Sequence, residues 1–138
     1  MGFKNEDTFQ NFLENNQEYR FHRLYERAVN SVSTEFGKTY PVIINGKKIY
    51  TSKTMTRTSP TDKRITLGQM SKGNSMHAKR AIQAASNAFE KWSSVDYKER
   101  VKLFRRIGSN MKRHKFELSA WLTFENGKNR YEAIADID

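Results

Sequence analysis

Residues 77–113 read HAKRAIQAASNAFEKWSSVDYKERVKLFRRIGSNMKR, and the pattern within them decides the fold. Apolar residues recur every three or four positions before and after the short SSVD segment, which predicts two consecutive amphipathic helices. Asn74 or Ser75 can cap the first helix, because both side chains accept hydrogen bonds from backbone amides. Asp96, followed three positions later by Glu99, has the form of a capping box at the start of the second helix.

The apolar side of each of these helices needs a cover, because most helices in proteins are stabilised by the packing of that side. We expect the two helices to cover each other, and this packing also argues against a helix that lies on a membrane surface. The apolar positions are Ala78, Ala81, Ile82, Ala85, Ala88, Phe89 and Trp92 in the first helix and Val101, Leu103, Phe104, Ile107 and Met111 in the second.

A small β element precedes the helices. Residues 40–50 read YPVIINGKKIY, in which β-branched residues lead into Asn45 and Gly46. These two residue types adopt the positive φ angles of a tight hairpin turn, so the segment is predicted to be a hairpin. A second short strand is predicted over residues 64–70, and the Thr- and Ser-rich segment 51–64 is predicted to be a connection.

The two ends of the chain are also predicted to be helical. Residues 6–36 form an N-terminal arm with a break near residues 15–16, where the sequence is rich in asparagine. A third amphipathic helix covers residues 115–126, and Gly127 ends it in a left-handed conformation. A further helix begins near Asn129.

The fold class is therefore α+β and mainly helical. It combines an N-terminal helical arm, a small β-hairpin element and a cluster of about three amphipathic helices. We expect the arm to occupy residues 1–38, and the hairpin plus helical cluster to form a single compact domain over residues 39–138.

The composition excludes several classes of protein and site. The chain has no cysteine, which rules out disulfides, thiolate metal sites and a thiol nucleophile. No stretch approaches the roughly 18 apolar residues of a membrane span, and the N-terminus does not have the pattern of a secretory signal. We therefore expect a cytoplasmic protein without a membrane partner.

Positive charge is concentrated in the middle of the chain. The net charge is +10, and residues 41–114 carry 17 basic and 4 acidic side chains. This concentration favours a polyanionic partner, while a basic surface that only keeps the protein soluble is the alternative. The positions predicted to bind nucleic acid are Lys98, Lys102, Arg105, Arg106, Lys112 and Arg113 on the second helix, extended by Lys79, Arg80, Lys47 and Lys48.

Five segments also carry a resemblance to a known family. In chain order they are EFGKTYPVIINGKKI (35–49), SP (59–60), AIQAASNAFEKW (81–92), YKERVKLFRRIGSNMKRHKFEL (97–118) and FENGKNRYEAIADID (124–138). Taken together, they resemble the N-terminal stretch of the NAD-dependent aldehyde dehydrogenases, and within that family the branch that oxidises 1-pyrroline-5-carboxylate.

The resemblance implies that most of an enzyme is missing from this sequence. In that family several hundred further residues hold the dinucleotide-binding sheet, the catalytic cysteine, the glutamate base and the asparagine that holds the oxyanion. None of these motifs has a counterpart here, so the chain is expected to be a truncated relative. We assign no catalytic, cofactor-binding or metal residue, expect no cofactor, and predict that the chain is not an enzyme on its own.

Two functions remain after these exclusions. The favoured hypothesis is a non-catalytic basic protein that binds structured RNA or a ribonucleoprotein particle such as the ribosome, through the Lys/Arg side of the second helix. The alternative is an N-terminal fragment or split subunit of the dehydrogenase, whose partner is the remainder of that enzyme.

Overall fold

The computed structural model describes residues 8–138, and the fold is mainly helical with a few short strands. The predicted start of the arm, residues 1–7, lies outside the described residues. The elements in chain order are α1 (Phe9–Glu14), α2 (Glu18–Ser33), β1 (Thr39–Tyr40), β2 (Val42–Ile44), β3 (Lys47–Ile49), β4 (Thr54–Thr58), β5 (Thr66–Ser71), α3 (Ser75–Ser93), α4 (Tyr97–Arg113), α5 (Lys115–Asn126) and α6 (Arg130–Ile137).

The helices begin and end where capping residues allow it. The side chain of Asn74 accepts a hydrogen bond from the backbone N–H of His77, and the Asp96 side chain accepts one from the backbone N–H of Lys98. Asn16 separates α1 from α2 with a φ of 55°, and Gly127 ends α5 with a φ of 72°. Both left-handed positions suit their residue types, so the predicted break in the arm and the predicted end of the third helix are confirmed.

The strands form two small sheets. β2 and β3 pair antiparallel around Asn45 and Gly46, whose positive φ angles confirm the predicted hairpin turn. The other sheet has the order β1–β5–β4. β4 lies in the segment predicted to be a connection, and its antiparallel pairing with β5 is a long-range contact that local sequence does not reveal. Gly68 permits this sheet, since a Cβ there would lie 2.7 Å from the Tyr40 ring.

The hydrophobic core joins the two ends of the chain. Phe12, Phe21 and Tyr25 of the arm pack with Ala133 and Ile134 of α6 in one buried cluster. A second cluster joins α2 to α5. The eight residues of α6 are too few for a stable isolated helix, so the arm supplies the packing that holds it. The division of the chain at residue 38 stays a prediction.

Tyr25 also connects the arm to α5 by polar contacts. Its hydroxyl donates to the backbone carbonyl of Ser119 at 3.0 Å and lies 2.8 Å from the Thr123 hydroxyl. Arg130 at the start of α6 forms an ion pair with Glu26, and its guanidinium lies 5.4 Å from the centre of the Tyr25 ring. These contacts fix α2 against α5 and α6 at specific positions.

The packing of helices α3 and α4 differs from the expected packing. Neither contains a buried residue, and the side chains of Ile82, Phe89 and Phe104 are 70%, 66% and 64% exposed. The expectation that the two helices bury their apolar sides against each other is therefore wrong. The physical reason is placement: α3 packs mainly against β2, and α4 contacts the neighbouring α5, so their apolar sides stay open.

Replacing Ile134 tests the contribution of the core. Ile134→Ala is expected to lower the free energy of unfolding by about 2–5 kcal/mol, because it leaves a cavity between α6 and the arm. The matched control Ile82→Ala removes an exposed side chain from α3 and is expected to change it by less than about 0.5 kcal/mol. Urea denaturation of both variants measures the difference, and equal losses in the free energy of unfolding would contradict the place of Ile134 in the core.

Because the Tyr25 hydroxyl is buried, we expect the fold to lose stability at alkaline pH. Burial raises the pKa of this phenol, and it outweighs the opposing effects of the Thr123 hydrogen bond and the Arg130 charge. Because the pKa is higher in the folded state, folding favours the neutral phenol. The contribution of the neutral phenol to the free energy of unfolding is fully present below the pKa of the unfolded state, about 10. It is lost as the pH rises through the pKa of the folded state.

Urea denaturation of the unsubstituted chain and two variants tests this at several pH values from about 8 to about 11, a range that includes the ordinary phenol pKa. Tyr25→Phe is expected to be less stable at neutral pH, and to lose stability less steeply than the unsubstituted chain as the pH rises. The control Tyr19→Phe, at a position 80% exposed, is expected to keep the original slope. An unchanged slope in Tyr25→Phe would show that the phenol does not titrate differently on folding.

Candidate interaction surface on helices α3 and α4

An open apolar groove runs from the end of α3 along α4. Its volume is about 710 Å³, and its lining is almost entirely apolar. We call it the α4 groove. Because the apolar residues here are contiguous and exposed, the groove is a candidate interaction site. The residues that line it are Trp92, Tyr97, Arg100, Val101, Phe104, Arg105 and Gly108.

The spacing of residues along α4 explains the groove. Tyr97, Val101, Phe104 and Gly108 are separated by four, three and four positions, so they lie on one side of an α-helix. Gly108 has no side chain and leaves the end of this row open. The amphipathic pattern predicted that Trp92 and Phe104 pack internally, and it did not reveal the groove because a periodic pattern does not show what covers a helix.

One of the predicted basic side chains, that of Arg105, lines the α4 groove. Lys98, Arg105 and Lys112 are seven positions apart, so they form a row along the helix. Arg105 belongs both to the groove lining and to a second, shallow groove that it forms with Arg106, Ser109 and Arg113. The structure therefore brings three of the predicted arginines together, next to an apolar surface.

Other predicted basic residues have local partners or lie on other elements. Lys102 forms an ion pair with Glu99 at 2.6 Å, and Arg113 donates a hydrogen bond to the Asn110 side chain at 2.9 Å. The ten predicted positions are thus divided among three elements. Lys79 and Arg80 lie on α3, Lys47 and Lys48 lie on β3, and the remaining six lie on α4.

The described residues do not fit an NAD site. Such a site forms where parallel strands are joined through a helix and a glycine-rich turn. Within residues 8–138 the parallel pair is β1 with β5, and no helix lies between these two strands in the chain. β5 does lead into α3, but the first turn of that helix is capped by the Asn74 side chain.

The described residues also lack two other kinds of site. Residues 8–138 contain no group of three or more histidine or acidic side chains placed to hold a metal ion. No described helix has the length and hydropathy needed to cross a membrane.

Comparison with known proteins identifies relatives along almost the whole chain. Residues 49–138 match the aldehyde dehydrogenase family. The 1-pyrroline-5-carboxylate dehydrogenase 2 of Bacillus subtilis is 38% identical over 130 residues, which cover 94% of this chain and 24% of the relative. The 1-pyrroline-5-carboxylate dehydrogenase 1 of Halalkalibacterium halodurans is 39% identical over 114 residues, 83% of this chain and 22% of the relative.

A solved structure gives the same result. A 1-pyrroline-5-carboxylate dehydrogenase from Thermus with bound NAD matches with a TM-score of 0.85 at 34% identity, over 99% of this chain and 26% of that one. The chain thus spans about a quarter of the length of its relatives and corresponds to their N-terminal portion. The resemblance inferred from the five sequence segments is confirmed.

The prediction that this protein binds structured RNA such as the ribosome is wrong. The relatives are dehydrogenases, and the match to them includes the basic helix α4. The physical reason for the error is that net charge measures attraction to any anion, so it does not identify a partner. Binding to a phosphate backbone would not require the apolar groove that lies beside the basic row.

Hydrogen exchange tests the openness of the two helices. The backbone amides in the middle of α5, around the buried Ser119 and Ala120, are expected to exchange about tenfold or more slowly than those in the middle of α3 and α4. The reason is that α3 and α4 have no buried residue to couple their opening to global unfolding. Mass spectrometry of peptic fragments measures this, and equal protection of all three helices would contradict it.

Proposed function

Because this chain belongs to the aldehyde dehydrogenase family, we propose that it acts as the N-terminal part of an NAD-dependent 1-pyrroline-5-carboxylate dehydrogenase. Polypeptide beyond these 138 residues, called the second polypeptide below, carries the rest of the fold. The observation that supports this most directly is the correspondence of 99% of the chain with 26% of the Thermus enzyme. An N-terminal part that keeps its fold over its whole length is suited to complete an enzyme.

The second polypeptide supplies the chemistry in this proposal. Oxidation of an aldehyde by this family's route needs a thiolate nucleophile and a general base, and this chain has no cysteine. The second polypeptide would hold NAD, which would supply the chemistry of a hydride acceptor. In this proposal the catalytic groups therefore lie outside residues 1–138, and a cytoplasmic location stays a prediction.

The chain's own contribution is structural. Its arm and its C-terminal helices share one core, so these elements pack against each other within the chain. That core holds α5, from whose N-terminal end α4 extends with its apolar side open. The chain thus offers a preformed surface to the rest of the enzyme, which lowers the entropic cost of association.

Reconstitution tests the proposal. The Bacillus subtilis 1-pyrroline-5-carboxylate dehydrogenase 2 is expressed without the N-terminal quarter that matches this chain, either alone or together with the 138-residue protein. We expect NAD-dependent oxidation of 1-pyrroline-5-carboxylate only when both polypeptides are present. Reduction of NAD is followed by absorbance in purified samples.

A control makes a negative result informative. The relative's own N-terminal quarter, supplied as a separate chain, shows whether an enzyme divided at this point can assemble at all. Activity with that control chain but not with the 138-residue protein, at equal expression, would contradict the proposal.

A further inference from the structure

The turn of the β2–β3 hairpin forms a site of covalent modification in which the dehydrogenase reaction has no part. We infer that Asn45 at this turn deamidates without an enzyme. The backbone nitrogen of Gly46 attacks the Asn45 side-chain carbon Cγ, so that a new C–N bond forms and the Cγ–Nδ2 bond breaks. The amide proton of Gly46 leaves with the released nitrogen as ammonia, and neither an oxidant nor a reductant takes part. Water then opens the succinimide ring to aspartate, or to isoaspartate if the original backbone bond breaks.

The first argument is the residue that follows the asparagine. The sequence contains two Asn-Gly pairs, Asn45-Gly46 and Asn126-Gly127. Glycine has no Cβ, so its nitrogen can be approached closely and its backbone turns with little steric cost. Every other asparagine in the sequence precedes a residue with a side chain, which hinders the approach. The two Asn-Gly pairs are therefore the candidate sites.

The second argument is that a helix engages the attacking nitrogen of one pair. The Gly127 N–H donates a hydrogen bond to the Thr123 carbonyl at 3.0 Å, at the end of α5. Attack on Asn126 requires this helix end to open first. The Gly46 N–H has no hydrogen-bond partner within residues 8–138, and Asn45 is exposed. The hairpin pair is therefore the one that can react without breaking a bond at the nitrogen.

The third argument is the space around the two glycines. A Cβ at Gly127 would lie 3.2 Å from the Thr61 side chain and 3.5 Å from the ring of Pro60, so other residues pack against that turn. A Cβ at Gly46 would meet no atom within 4 Å. The ring closure at the hairpin tip thus has room for the backbone to turn. Two strands of three residues each are also marginal in stability, which lets the tip open.

The modification is expected to loosen the hairpin. Isoaspartate lengthens the backbone of the turn, whereas a two-residue turn joins its strands through one specific pair of backbone conformations. Ile44 directly precedes the turn and is buried, and α3 packs against β2. A turn that no longer fits therefore weakens both the pairing of β2 with β3 and the contact of β2 with α3.

Incubation of the purified 138-residue chain at mildly alkaline pH tests the site. Peptide mass spectrometry follows the conversion of amide to carboxyl group at both Asn-Gly pairs in the same sample. We expect Asn45 to react about tenfold or more faster than Asn126, because the Asn126 site must first open. The same chain in urea is the control, and there the two pairs are expected to react at similar rates because α5 is unfolded.

Hydrogen exchange tests the effect on the hairpin. The isoaspartate form is separated by ion exchange and identified by electron-transfer fragmentation. Its amides in β2 and β3 are expected to exchange severalfold faster than those of the unmodified chain. Asn45→Asp is the matched control, because it adds the same negative charge without lengthening the backbone, and Asp-Gly suits this turn type. Its exchange is expected to resemble that of the unmodified chain.

The outcomes are distinct. A rate at Asn45 no higher than that at Asn126 in the folded chain overturns the inference, and so does a ratio of the two rates that is the same in urea. Exchange in the isoaspartate form no faster than in Asn45→Asp overturns the effect on the hairpin. Each measurement uses the 138-residue chain alone, so these results are independent of the proposed dehydrogenase function.

Discussion

The packing of the N-terminal arm against the C-terminal helices is the contact on which the rest of the structure depends. Phe21 and Tyr25 are fully buried against α6, and the Tyr25 hydroxyl bonds to the backbone of α5. This contact joins segments about a hundred residues apart in sequence, so forming it has a considerable entropic cost. Burial of several aromatic rings offsets that cost, and it gives a helix of eight residues a stable position.

This core determines what the remaining elements can do. The two small sheets and α3 lie between the segments that form the core, and α4 leads into α5, which is part of it. Neither α3 nor α4 contributes a buried residue. α3 contacts β2 and α4 contacts α5, while apolar side chains of both helices remain exposed. A groove lined by Phe104 and Val101 is the result.

The basic surface of α4 shows why composition alone misidentified the partner. Lysine and arginine side chains are well solvated on almost any exposed helix, so their number along α4 does not depend on what the helix binds. Several of them are already engaged, as Lys102 is with Glu99. Their position beside an apolar groove is informative, because attraction to a polyanion does not account for the apolar surface. That position became visible only in the folded chain.

The sequence by itself determined the local structure and the family. Asn74, Asp96 and Gly127 define helix ends through hydrogen bonds and backbone angles within a few residues, and the turn at Asn45 and Gly46 is equally local. Such features can be predicted because the interactions that cause them are near in sequence. Only the tertiary structure decided that β4 pairs with β5, that the arm covers α6, and that the apolar side of α4 stays open. Amphipathic periodicity shows that a helix has an apolar side, but the partner that covers this side is chosen by contacts between distant segments.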